Sequence, residues 1–214
     1  MKPIDIILQF LAGEMDVSTF ADALYNDGDL ERFLRAPSVN WKEAFVERIG
    51  NCGAHLYEDA YDYLIQLNLS RLGDVVNAFE PLEILLQKKE ISYVRSEKYR
   101  DLFRLLLDSQ PAYIDSDTNI SSDFFKQQIL PIANAEITKT EKKKQIREKY
   151  KAAFKYQSKP PRWIQGAEWI EKNGVPLFFV GQVELKHEIF HDIGAVYIFL
   201  DTDTGEIETI TQFY

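Results

Sequence analysis

A change of pattern at Pro160-Pro161 divides this sequence into two parts that fold differently. Before these prolines, apolar residues recur at the three- and four-residue spacing of amphipathic helices. After them, short apolar or alternating runs between turn residues indicate strands. Because proline fixes φ and lacks a backbone N–H, the pair also ends the preceding helix. We therefore predict an α+β fold, with a mostly α-helical body over residues 1–157 and a small antiparallel β module over residues 158–214.

The helical body is predicted to contain irregular pairs of short helices, because its apolar periodicity is interrupted often and shows no fixed repeat. Helices are expected over residues 3–12, after Asp16 or Ser18, after Asn40, after Ser70, after Ser96, after Ser121 or Ser122, and from Thr138 or Thr140 to Phe154. Pro81 lies inside the apolar pattern that follows Ser70, so we expect a kink or a break there.

The β module is predicted to contain three or four strands. Turns are expected at Lys172-Asn173-Gly174 and at Asp201-Thr202-Asp203-Thr204-Gly205. Strands are expected over residues 175–181, 194–200 and 206–213. A sheet of this size cannot bury its apolar face alone, so the module should pack on the helices.

The charge of the chain is negative but unevenly distributed. Residues 1–137 carry 13 Lys and Arg against 23 Asp and Glu, residues 138–160 carry 9 against 2, and residues 161–214 carry 3 against 9. An acidic body argues against nonspecific nucleic-acid binding, which requires Lys and Arg to displace counterions. It suits a basic protein partner, such as a nuclease whose own substrate is an anion.

The sequence also indicates a cytoplasmic protein. The single cysteine, Cys52, excludes an intramolecular disulfide and favours a reducing compartment. The apolar N-terminal run is interrupted by Asp5 and resembles a first helix more than a signal peptide. No apolar segment reaches the roughly 20 residues that span a bilayer, so we expect no membrane partner.

A zinc-peptidase pattern, H-E-x-x-H, occurs from His187 to His191. On a helix, His187 and His191 could share a zinc ion, Glu188 could activate water, and Glu206 or Glu208 could be a third ligand. However, residues 183–189 alternate like a strand, in which positions four apart lie roughly 13 Å from each other. We therefore interpret the motif as a chance match and expect no metal and no cofactor.

Two other clusters are candidates for binding. Tyr57, Glu58, Asp59, Tyr61 and Asp62 interleave aromatic rings with carboxylates, which suits a basic protein surface but also fits an ordinary amphipathic helix. Trp163, Gln165, Trp169 and Gln182 surround the joint between helices and strands. We interpret this second cluster as structural, with a second interaction surface as the alternative.

Two stretches resemble helical immunity proteins of bacterial polymorphic-toxin systems. One is the short first helix followed by Gly13-Glu14-Met15-Asp16-Val17-Ser18-Thr19-Phe20. The other is the C-terminal pattern Pro160-Pro161-Arg162-Trp163-Ile164-Gln165-x-x-Glu168-Trp169, then Gly174-x-Pro-Leu-x-Phe-Val-Gly181-Gln182, then Val196-Tyr-x-Phe199 and Asp203-x-Gly205. The two stretches cover about a third of the chain.

This resemblance implies a non-enzymatic cytoplasmic protein that blocks a cognate protein toxin, with no catalytic residues. Two alternatives stay open: a helical scaffold with a non-toxin partner, and a zinc hydrolase that uses His187 and His191. The sequence leaves the oligomeric state open.

Overall fold

The computed structural model describes residues 1–36, 38–49, 57–114, 118–185 and 193–214, without the side chains of residues 46–49. It divides the chain into two compact units, Met1–Phe103 and Arg104–Tyr214. The predicted boundary at residues 157 and 158 lies inside the second unit, which combines helices with the strands. Among the described residues, no helix is both long enough and apolar enough to cross a bilayer.

The α+β class is confirmed, and the first unit is helical. Its helices are α1 (Pro3–Leu11), α2 (Val17–Asn26), α3 (Gly28–Arg35), α4 (Trp41–Ile49), α5 (Ala60–Leu64), α6 (Leu72–Lys88) and the first part of α7 (Lys98–Leu107).

Local capping explains where the first helices begin and end. The Asp16 carboxylate accepts a hydrogen bond from the backbone N–H of Thr19 at 2.9 Å, which confirms the predicted start of α2. The Asp27 carboxylate does the same for the second and third residues of α3. Gly13, which follows α1, has φ +74°, a left-handed conformation that glycine adopts without strain.

An aromatic cluster forms the core of the first unit. Phe10 of α1 stacks on Phe20 of α2 with ring centroids 3.9 Å apart. Phe79 of α6 and Tyr99 of α7 approach the Phe10 ring at 5.3 and 6.3 Å. All four side chains are buried, so this cluster ties four helices together.

Of the predicted kink or break at Pro81, the break does not occur. Helix α6 runs without interruption through Pro81 and begins after Arg71, so Ser70 is not its cap either. The proline removes one backbone hydrogen bond. However, residues 81–86 are all buried, and that burial outweighs the local cost.

The helices of the second unit follow the predicted capping signals. After α7 come a π-helical turn (Phe125–Ile129), α8 (Leu130–Asn134) and α9 (Lys139–Ala153). The Ser122 hydroxyl accepts from the N–H of Phe125 at 3.1 Å, and the Thr138 hydroxyl accepts from the N–H of Glu141 at 3.2 Å. Both predicted starts are thus confirmed.

The strands of the second unit form two antiparallel sheets. The first sheet pairs β1 (Glu171–Lys172) with β2 (Val175–Pro176), and the second contains β3 (Phe178–Leu185), β4 (Gly194–Leu200) and β5 (Ile207–Phe213) in the order β3-β4-β5. Asn173 and Gly174 have φ +52° and +74°, as a two-residue hairpin turn requires.

Trp169 joins the sheet to residues that follow α7 and α9 in the same unit. Its ring centroid lies 5.2 Å from that of Phe154 at the end of α9 and 6.0 Å from that of Tyr113. On the other side, the Trp169 ring lies 5.6 Å from Phe199 of β4. Within this unit, Trp169 therefore links β4 to the residue that follows α9.

Candidate functional site

The first candidate is the acidic–aromatic patch, defined as Tyr57, Glu58, Asp59, Tyr61 and Asp62. Helix α5 begins only at Ala60, so Tyr57 and Glu58 precede the helix. The patch is therefore a turn followed by the first turn of a helix, and its residues do not share one helical face.

Asp59 has a structural role. The residue is 8% exposed, and its carboxylate accepts from the N–H of Asp62 at 2.8 Å and lies 2.9 Å from the Arg35 guanidinium. It is thus both the N-cap of α5 and the partner of a cation on α3. Asp59 therefore cannot be counted among the residues that face a partner.

The aromatic side chains of the patch are fixed by their neighbours. The Tyr57 ring meets the Tyr63 ring edge-on at 4.8 Å, and Phe45 lies 5.7 Å from Tyr63. The Arg35 guanidinium lies 4.7 Å from the centre of the Tyr61 ring. Burial raises the pKa of the Tyr63 hydroxyl, so this supporting ring is neutral at physiological pH. The rings of the patch thus pack against neighbouring side chains of the same unit.

The part of the patch that faces solvent is smaller than the sequence suggests. Glu58 is exposed, whereas Tyr57, Tyr61 and Asp62 are half-buried. The N–H of Glu58 donates to the Asp62 carboxylate at 3.4 Å, which fixes the turn before α5. This surface can offer two carboxylates beside two fixed rings, which is suitable for docking a cation-rich surface.

The second candidate is the tryptophan joint, defined as Trp163, Gln165, Trp169 and Gln182. Both indoles are half-buried and donate to backbone carbonyls: Trp163 to Tyr113 at 3.0 Å and Trp169 to Leu177 at 2.8 Å. Satisfied indole N–H groups with large ring contacts are typical of structural tryptophans.

The two glutamines of the joint also bind backbone. The Gln182 amide accepts from the N–H of Arg162 at 2.8 Å and donates to its carbonyl at 3.4 Å. Gln165 donates to the carbonyl of Phe213 at 2.8 Å. These bonds tie the segment after Pro161 to β3 and β5, which supports the structural interpretation of the joint.

Sequence reasoning missed the two buried polar side chains that hold this segment most firmly. Gln212 is 3% exposed; it accepts from the N–H groups of Ile164 and Gln165, each at 3.1 Å, and donates to the carbonyl of Gly166 at 2.9 Å. Tyr197 donates to the carbonyl of Arg162 and accepts from the N–H of Ile164, both at 2.9 Å. Gln212 lies at an inward position of the alternating β5 pattern, where an apolar residue is normally expected. A polar residue at that position was the feature of the sequence that could have revealed its role.

The zinc-peptidase motif lies outside the described residues, as does Cys52. The described residues contain no group of three or more His, Cys, Asp or Glu side chains arranged to hold a metal ion. The strand predicted from the alternation of residues 183–189 is confirmed over residues 183–185, since β3 extends to Leu185, the last described residue before the motif. Glu206 and Glu208 both pair with Lys172, at 3.2 and 2.9 Å.

Glu171 of β1 is a partly buried carboxyl. Its burial raises the pKa of the carboxyl group, although the Ser122 hydroxyl and the N–H of Phe124 favour the ionised form. Asp123 adds a like charge nearby and raises the pKa further. Ionisation of this group at neutral pH therefore opposes folding.

We expect Glu171→Gln to raise the melting temperature at pH 7. The pKa of Glu171 is higher in the folded than in the unfolded state. The contribution of this group to the stability of the fold is therefore fully present below about pH 4 and is lost as the pH rises through the folded-state pKa. The gain from glutamine should therefore shrink to nothing as the pH falls to about 4. Thermal unfolding from pH 4 to 8 measures this, with exposed Glu168→Gln as the control. An equal gain at every pH would contradict the role of ionisation.

Compared with known proteins, the chain matches no family model, no curated protein and no solved structure. The resemblance to immunity proteins therefore stays a prediction.

Proposed function

We propose that this chain is a non-enzymatic cytoplasmic binding protein that blocks a basic protein toxin. The docking surface is the solvent-facing part of the acidic–aromatic patch: Tyr57, Glu58, Tyr61 and Asp62. The observation that carries the proposal is that the Tyr57 ring packs on Tyr63 and the Tyr61 ring on the Arg35 guanidinium, next in sequence to these carboxylates. Rigid aromatic side chains lose little entropy on binding, which makes them effective anchors.

The charge of the first unit supports a basic partner. Residues 1–103 contain 11 Lys and Arg against 18 Asp and Glu, a net charge of −7. An opposite charge on the partner would accelerate association and oppose acidic competitors. A nuclease is a suitable partner, because its cleft is built to accept an anion.

The assignment of the partner as a toxin rests on the sequence resemblance. Affinity capture with the full chain from its native host, followed by mass spectrometry, is the direct experiment. We expect one basic protein that is toxic when expressed alone and harmless when this chain is coexpressed. Capture of a non-toxic partner, whose effect in the cell this chain does not suppress, would favour the scaffold alternative.

Charge reversal within the patch should weaken binding of the captured toxin without unfolding the chain. We expect Glu58→Lys with Asp62→Lys to reduce affinity by at least about tenfold at low salt and by less at high salt, because screening weakens the electrostatic attraction. The melting temperature should fall only modestly, since Glu58 is exposed, Asp62 is half-buried, and the hydrogen bond lost from the Glu58 N–H to the Asp62 carboxylate is long at 3.4 Å. Calorimetric titration at two salt concentrations measures the effect.

A charge-matched control separates local docking from net charge. Glu14→Lys with Asp22→Lys makes the same change at two other exposed positions of the first unit. If both pairs weaken binding equally, the patch is not the docking surface. Asp59 is left unchanged because its loss would remove the cap of α5 and the Arg35 ion pair.

A further inference from the structure

Strand β5 (Ile207–Phe213) lies at the edge of its sheet. Among the described residues it pairs with β4 alone, in an uninterrupted antiparallel register. Edge strands of natural proteins usually contain lysine, proline or a bulge that prevents pairing with another chain. The sequence of β5, Ile-Glu-Thr-Ile-Thr-Gln-Phe, has no lysine or proline, its pairing with β4 has no bulge, and its one charged residue is Glu208. As far as the described residues show, no strand is paired with this edge, and the Gln165 side chain reaches it only at Phe213.

The direction of the backbone groups of β5 follows from its pairing with β4. The backbone N–H of Asp201 donates to the carbonyl of Glu206 at 2.9 Å, and the backbone N–H of Tyr214 donates to the carbonyl of Ile193 at 3.0 Å. Because hydrogen-bonded pairs alternate along an antiparallel ladder, the even-numbered residues of β5 face β4. The N–H and C=O groups of its odd-numbered residues, Ile207, Thr209, Thr211 and Phe213, point away from the sheet. Within the described residues, one of these outward groups has a hydrogen-bond partner: the Phe213 carbonyl accepts from the Gln165 side-chain amide at 2.8 Å.

We propose that β5 pairs with β5 of a second copy of this chain. The two strands run antiparallel about a two-fold axis at Ile210, and the hydrogen bonds join the outward residues. In this register Thr209 lies opposite Thr211 of the second copy, and Ile207 lies opposite Phe213. Glu208 lies opposite Gln212, so no like charges meet.

The exposed side chains of β5 favour this register. Ile207 is 66% exposed and Phe213 is 39% exposed, and both lie on the sheet face opposite the core. The proposed pairing brings each Ile207 beside a Phe213 ring, and aromatic–β-branched pairs of this kind stabilise sheets. A shift that placed Thr209 opposite itself would instead set Ile207 opposite Thr211 and Phe213 opposite Gly205. The strand is therefore most complementary to itself about Ile210.

The test compares two double variants of the full chain by light scattering and sedimentation equilibrium. The wild type should have twice the chain mass of 24.9 kDa. Thr209→Lys with Thr211→Lys places lysines opposite each other at two symmetric positions and should weaken dimerisation by about tenfold or more. Thr209→Lys with Thr211→Glu places opposite charges there and should restore the dimer. Both threonines are exposed, so the monomer should tolerate the two variants equally.

Three results would overturn the proposal: a monomeric wild type, a double-lysine variant that dimerises as well as the wild type, or a lysine–glutamate variant that remains monomeric. Thr209→Pro distinguishes another occupant of the edge, because it removes an outward N–H and leaves the bonds to β4 in place. If the wild type is monomeric and Thr209→Pro loses a captured partner, the edge binds a strand of a different protein and the second copy is excluded.

Discussion

Replacing Arg95 with alanine is expected to lower the free energy of unfolding of the first unit by about 3–5 kcal/mol. The Arg95 guanidinium lies 2.8 Å from the carboxylate of Glu83, which is on α6 and only 1% exposed. The same guanidinium lies 5.7 Å from the centre of the Phe79 ring. Alanine would remove this cation from beside a buried carboxylate, and burial makes the loss of a close charge partner costly.

Urea unfolding followed by far-UV circular dichroism measures this loss, and hydrogen exchange by mass spectrometry locates it in the first unit. Arg100→Ala is the matched control, because Arg100 pairs with the half-exposed Glu97 at 3.3 Å. That variant should lose about 1 kcal/mol or less. The double variant Glu83→Leu with Arg95→Leu should recover much of the loss, since an apolar pair needs no charge compensation. If Arg95→Ala and Arg100→Ala lower the free energy of unfolding equally, the buried Arg95–Glu83 pair stabilises the protein no more than an exposed pair does.

Features that depend on a few neighbouring residues could be predicted from the sequence. Asp16 and Thr138 cap the helices that they were predicted to cap. Strand β4 has the predicted bounds, because a continuous apolar run between turn residues is typical of a central strand. The α+β class followed from the same local patterns on either side of Pro160-Pro161.

Features that depend on contacts between distant residues could not be predicted. The structural role of Asp59 arises from Arg35, 24 positions earlier in the chain. Gln212 binds backbone groups 46 to 48 positions before it. Pro81 is tolerated because its helix is buried, a condition that local spacing does not reveal. The sequence shows that the candidate patch contains aromatic and acidic residues, but which of them a partner could reach depends on these long-range contacts.

The second large effect is expected in the sheet of the second unit. Phe199 of β4 is fully buried, and its ring lies 5.3 Å from Phe179, 5.6 Å from Trp169 and 6.3 Å from Trp163. Phe199→Ala would leave a cavity between the sheet and the tryptophan joint. We expect it to destabilise the second unit by about 3–5 kcal/mol, the usual loss for a large buried ring.

The neighbouring residue is the control that makes this expectation specific. Ile198 lies on the opposite face of β4 and is half-buried, so Ile198→Ala should cost about 1–2 kcal/mol, part of the loss for a buried isoleucine. Tryptophan fluorescence during urea unfolding reports the difference, because Trp163 and Trp169 both contact the Phe199 ring. Successive residues of a strand point to opposite faces, so unequal losses identify which face the core occupies. If Ile198→Ala destabilises the chain as much as Phe199→Ala does, both faces of the sheet are covered in solution. Pairing of two β5 edges would not cover the face on which Ile198 lies, so that result would require a different contact.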